Sequence, residues 1–100
     1  MTLRVVSNSR FDHDFDALPS EARREFWRIL SSLRRRPFAA GVGFSVVQLR
    51  RTARPGARVA HFLNDRYRLL YEVDGELLIL VGIGERPGFY RRLDRMREGR

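Results

Sequence analysis

Residues 57–86 read ARVAHFLNDRYRLLYEVDGELLILVGIGER. Three apolar runs, ARVAHFL, RYRLLYEV and ELLILVGI, are separated by Asn64-Asp65 and by Asp74-Gly75. Tight hairpin turns need positive φ at their central residues, which Gly, Asn and Asp tolerate best, so Asp-Gly is a strong turn signal and Asn-Asp a weaker one. The pattern predicts an antiparallel meander. Working outward, FSVVQL (44–49) adds a strand ahead of the basic Pro-Gly loop RRTARPGA, and LRVVS (3–7) is a short β-branched run bounded by polar residues. Phe11, Phe15 and Leu18 recur at helical spacing until Pro19. In SEARREFWRILSSLRRRP, Ser20 is the expected N-cap, Ala22, Phe26, Ile29, Leu30 and Leu33 form an apolar stripe, and Pro37 stops the helix. Trp27 sits beside that stripe and is expected at the edge of the core. FAAGVG connects the helices to the strands, and FYRRLDRMREG at the C-terminus is expected to be helical. The expected fold class is α+β, an N-terminal strand and a helical hairpin packed on a twisted antiparallel sheet.

Composition narrows the function. One hundred residues, 43% of them hydrophobic, suit one domain spanning 1–100 with one core. With no Cys, neither a disulfide framework, a thiolate metal site nor a Cys nucleophile is available, and two His residues 48 positions apart do not suggest zinc. No cofactor is expected. The N-terminus lacks the apolar core of a signal peptide, and no apolar run approaches the roughly 20 residues that cross a bilayer, so a cytoplasmic location without membrane contact is the expectation. The net charge is +8, and all 20 basic residues are Arg. Such a surface attracts polyanions with an affinity that falls as salt rises.

The polar residues set into the meander raise the question of a site. If Asn64 and Asp65 form the turn, His61 faces Arg68 across the hairpin. The same count at Asp74-Gly75 puts Val81 opposite Arg68 and brings Arg86 to the same end of the sheet. Tyr90 follows Arg86 by four residues, one helical turn. Two guanidiniums, a phenol and an imidazole suit a phosphodiester. Arg binds phosphate bidentately and stays charged, but it exchanges protons poorly, which leaves Tyr90, His61 and Glu85 as candidates for proton transfer. The bland alternatives are a solvated Arg stem, a half-core Tyr and a packed His. On this reading Arg68, Arg86 and Tyr90 lie at element ends with side chains facing solvent.

The segment RYRLLYEVDGELLILVGIGERPGFYRRL resembles the C-terminal half of RelE/ParE-superfamily toxins of bacterial type II toxin-antitoxin systems, with a "YR-apolar-apolar-Y" strand, a hairpin and an "I-G-x-R-x-x-x-Y" ending. FDHDFDALPSEARREFWRILSSLRRRP is similar to the helical hairpin of those toxins. The resemblance covers nearly the whole chain and implies a RelE-like, microbial-ribonuclease-type fold. It implies one of three functions: a ribosome-dependent mRNA endonuclease, a DNA gyrase poison, or an inactive relative. In the nuclease branch Arg68 matches the phosphate-binding strand Arg, Arg86 a residue aiding the leaving group, and Tyr90 the terminal aromatic. His61 and Asp65 are similar to a His and an Asp of some members; Arg58, Asp65 and Arg91 are the candidates for holding RNA. Glu85 stands where many members have His, and the lysines of one nuclease subgroup have no Lys counterpart. The implied chemistry is metal-independent attack of the RNA 2′-hydroxyl on its own phosphate. The implied partners are the ribosome and mRNA, and an acidic cognate antitoxin forming a hetero-oligomer with the toxin.

Overall fold

The structure is a computed structural model and describes residues 2–48 and 57–89. In chain order the elements are β1 (Arg4–Val6), α1 (Ser9–Asp16), α2 (Ser20–Arg35), β2 (Phe44–Gln48), β3 (Ala57–Phe62), β4 (Tyr67–Asp74) and β5 (Leu77–Glu85). The strands form one sheet in the order β1-β5-β4-β3-β2. The last four pair antiparallel as the meander requires, and β1 joins the far edge parallel to β5, so the sheet is mixed.

Helix α1 starts at Asn8, whose side-chain oxygen accepts the Phe11 backbone N–H at 2.8 Å and so satisfies one of the donors a helix start leaves open. Helix α2 differs from expectation at its start: Pro19 occupies the N-cap position without a side-chain cap bond, and Ser20 is already helical. Proline fixes φ near its helical value, which suits a helix entrance. The Arg23 guanidinium donates to the Leu18 carbonyl at 2.6 Å and ties the linker between the helices.

The predicted stripe Ala22, Phe26, Ile29, Leu30 and Leu33 is buried against one face of the sheet, meeting Ala60 and Phe62 of β3, Tyr67, Leu69 and Tyr71 of β4, and Leu78, Leu80 and Ile83 of β5. The Tyr71 hydroxyl, inside this layer, donates to the Pro37 carbonyl and fixes the chain where it leaves α2. Trp27 lies further out than expected: it is 57% exposed, its ring edge-on to Phe15 and Phe26. No helix among the described residues is long and apolar enough to cross a membrane.

Two turns set the register of the meander. The Arg66 N–H donates to the Leu63 carbonyl at 3.1 Å, and Asn64 and Asp65 both have positive φ (54° and 69°), as the Asn-Asp signal predicts. The second turn sits one residue later than expected, on Gly75-Glu76, with Asp74 opposite Leu77 and Gly75 at φ 58°. A register shift between Leu70 and Tyr71 then leaves Val81 as an extra residue on β5. Together these bring Gly84, rather than Val81, opposite Arg68.

Candidate functional site

The sheet face away from the helices carries a small apolar cluster of Ala57, Val59, Leu70 and Phe89, with Val81 packed against it. Strand alternation puts His61 on this face, two residues beyond Val59, and Arg68 two residues before Leu70. The pairing of His61 with Arg68 is the one expected from the sequence. Phe89, returning after β5, closes the apolar side, and Ser45 of β2 stands across from His61 on the other.

Asp65, at the tip of the β3–β4 turn, binds the group together. Its Oδ1 lies 3.1 Å from His61 Nδ1 and 3.2 Å from Arg68 Nη1, and its Oδ2 lies 3.7 Å from Arg86 Nη1. Arg86 is held there because its backbone N–H donates to the Arg66 carbonyl at 2.7 Å, extending the pairing of β4 and β5 by one bond past Glu85. The register shift in β5 is therefore what delivers Arg86 to Asp65.

The members differ in exposure. Arg68 is only 3% exposed, contrary to the solvent-facing position expected from its place near a strand end, and its Nη1 also donates to the Asp65 carbonyl at 2.7 Å. Its place decides this, because β4 is a central strand with β3 and β5 on either side and the apolar cluster around Leu70 lies on the same face. Arg86 and Asp65 have side chains 65% and 54% exposed, so the group opens to solvent on their side. Among the described residues two buried nitrogens, His61 Nε2 and Arg68 Nε, have no hydrogen-bond partner, which is unusual for buried polar atoms. Burial, and then the Arg68 charge, push the His61 pKa below 6.5; the charge and hydrogen bond of Asp65 oppose the shift, and Arg86 adds a smaller push downward. His61 is therefore largely neutral at pH 7.

Other sequence candidates lie elsewhere. Glu85 pairs with Tyr67, a core residue on the helix side, and lines a cleft there with Asp14, Ala17 and Leu18. Arg58 pairs with Tyr71 on that same side and places its guanidinium 4.6 Å above the Phe38 ring. Neither shares a face with His61. Tyr90 and Arg91 lie outside the described residues. Sequence reasoning treated Asp65 as a turn residue and an RNA contact and missed it as the common partner of three side chains. It also missed Ser45 and Phe89, whose placement depends on pairing across loops that carry no register signal.

The site offers an anion the exposed Arg86 guanidinium, with the buried Arg68 charge and a neutral imidazole gathered behind it on Asp65. Among the described residues no group of three or more His, Asp or Glu could hold a metal ion.

No family model matches the chain, and no curated protein matches its sequence. Solved structures do match. A chain of the toxin-antitoxin complex RelBE2 from Mycobacterium tuberculosis is 24% identical and superposes with a TM-score of 0.68, covering 86% of this chain and 100% of its own. A chain of the archaeal RelE-RelB complex from Pyrococcus horikoshii is 22% identical with a TM-score of 0.66, covering 86% of this chain and 97% of its own. A mutant of the E. coli toxin RelE in the free state is 15% identical with a TM-score of 0.57, covering 95% of this chain and 98% of its own. Element order, mixed five-stranded sheet and helical hairpin together give this chain the fold of the RelE toxins.

Proposed function

We propose that the protein is the toxin of a type II toxin-antitoxin system and acts as a ribosome-dependent mRNA endonuclease. The observation that carries this reading is the convergence of Arg68, Arg86 and His61 on one carboxylate, at the open end of a sheet whose fold is that of RelE toxins. A phosphodiester entering there meets two permanent positive charges. Arg68, immobilised by backbone carbonyls, supplies a preorganised contact to a non-bridging oxygen, and the exposed Arg86 reaches the same phosphate from the solvent side. Their attraction strengthens as negative charge gathers on the phosphorane, so they stabilise the transition state more than the bound message.

Apart from proton transfers, bond changes are confined to the RNA. The 2′-hydroxyl gives its proton to water or a side-chain base as its oxygen bonds to phosphorus, the bond to the 5′-oxygen breaks as that oxygen takes a proton from water, and a 2′,3′-cyclic phosphate and a 5′-hydroxyl remain. The M. tuberculosis structure is a toxin-antitoxin complex and the P. horikoshii structure a RelE-RelB complex. A chain of net charge +8 is suited to an acidic antitoxin of its own.

The test is a reconstituted translation system given the purified protein, with message ends mapped by primer extension and a gyrase supercoiling assay run beside it. Cleavage of ribosome-bound message, with 5′-hydroxyl ends and untouched supercoiling, is the expected result. Intact message together with blocked supercoiling assigns the gyrase-poison function instead.

A further inference from the structure

We propose that Arg66 grips the RNA phosphate next to the one that Arg86 meets, so that this end of the sheet holds two successive phosphates of one single strand. The proposal rests on the endonuclease reading and adds to it a residue that binds the message without taking part in the bond changes.

The backbone fixes where Arg66 stands. Its N–H donates to the Leu63 carbonyl at 3.1 Å, and its carbonyl accepts the Arg86 N–H at 2.7 Å. Arg66 and Arg86 are therefore neighbours across the last rung between the β4 and β5 segments, which adjacent strands span in about 5 Å. Both residues are exposed. Their guanidiniums leave that rung on different sides. Arg86 lies by Asp65, with His61 and Arg68 gathered on the same carboxylate. The Arg66 guanidinium instead stands 5.7 Å from the centre of the Tyr67 ring, which belongs to the core on the helix side.

The charges around Arg66 point to an anion. Two carboxylates belong to this end of the sheet. Asp65 is shared by His61, Arg68 and Arg86, and Glu85 stands opposite Tyr67 and lines the cleft against α1. Among the described residues neither comes within ion-pair distance of the Arg66 guanidinium. Its charge is left uncompensated, and a guanidinium carries five N–H donors in a fork that matches phosphate.

A single strand that sets one phosphate at Arg86 and crosses the sheet end carries the next phosphate to the Arg66 side. That second phosphate is not attacked, so its charge is the same in the bound message and in the transition state. The contact is uniform binding, which lowers KM and leaves kcat alone. The plain alternative is that the Arg66 stem only covers the Tyr67 ring.

The test compares the full chain with Arg66→Ala and Arg66→Lys in two measurements. One is the kinetics of message cleavage on programmed ribosomes; the other is the salt dependence of binding to a single-stranded RNA oligonucleotide, read by fluorescence anisotropy. In Arg66→Ala, KM should rise about tenfold, the size of one charge-assisted hydrogen bond, while kcat stays within about twofold. The slope of log K against log salt should shrink by about 0.7, the share of one phosphate contact on a single strand. Arg66→Lys keeps the charge and should restore most of that slope. An unchanged slope or an unchanged KM in Arg66→Ala overturns the proposal and leaves Arg66 as cover for Tyr67. A lower kcat at constant KM overturns it as well, because the contact would then be to the reacting phosphate. A parent that cleaves no message, with the slope still reduced in Arg66→Ala, overturns the endonuclease reading while the phosphate contact of Arg66 stands.

Discussion

Arg68 Nη1 donates to the Asp65 backbone carbonyl at 2.7 Å and lies 3.2 Å from the same residue's carboxylate, so one buried cation both closes the β3–β4 turn and balances the charge at its tip. Arg68 is therefore structural as well as functional. Arg68→Ala should lower stability by about 1–3 kcal/mol, the cost of losing charged hydrogen bonds and leaving carbonyls unpaired. Urea denaturation measures this, and a midpoint equal to that of the parent would show that the guanidinium does not hold the turn.

Arg86 should behave in the opposite way. Its guanidinium is 65% exposed and 3.7 Å from Asp65, a surface ion pair of small net value. Arg86→Ala should leave the melting temperature within about 2–3 °C of the parent, since exposed substitutions change stability by about 0.5 kcal/mol or less. Message cleavage should nevertheless drop by about a hundredfold, the usual loss for a transition-state charge contact. Equal cleavage by the two proteins removes Arg86 from the site.

The depressed pKa of His61 has a consequence for stability. Folding favours neutral His61, so between the folded-state pKa and 6.5 the unfolded chain binds more protons, and stability rises with pH across that window. The contribution is complete above 6.5 and is lost as pH falls through the folded-state value. Thermal melts of the parent and of His61→Gln at pH 7.5 and pH 5 should show the larger acid-induced loss in the parent. Parallel losses would mean that His61 is solvated like a free imidazole.

Tyr71 tests the core independently of the site. Its ring is fully buried and its hydroxyl donates to the Pro37 carbonyl. Tyr71→Phe should cost about 1 kcal/mol by leaving that carbonyl without its donor, and cleavage by the folded protein should be unchanged. A variant as stable as the parent would show that water replaces the phenol at Pro37.

Among the described residues the sequence by itself determined the elements and one of the two turns that order them; the helix expected at the C-terminus lies, beyond Phe89, outside those residues. The stripe from Ala22 to Leu33 is buried as its spacing requires, and Asn64-Asp65 gave the pairing of His61 with Arg68, because a two-residue turn fixes register by counting. Counting failed at the next hairpin. Asp74-Gly75 announced a turn, yet Gly75-Glu76 forms it, and the register shift near Leu70 has no local signature. That displacement put Gly84 opposite Arg68, carried Glu85 to the α1 side and brought Arg86 to Asp65. The parallel pairing of β1 with β5 and the exposure of Trp27 were likewise settled by tertiary packing, since neither strand partner nor helix tilt is written in periodicity. Asp65 shows the difference most directly: local propensity marks it as a turn residue, and only the folded sheet gathers an imidazole and two guanidiniums around its carboxylate. Electrostatic contacts of this kind join β3, β4 and the segment after β5, and they exist only once the strands have been aligned.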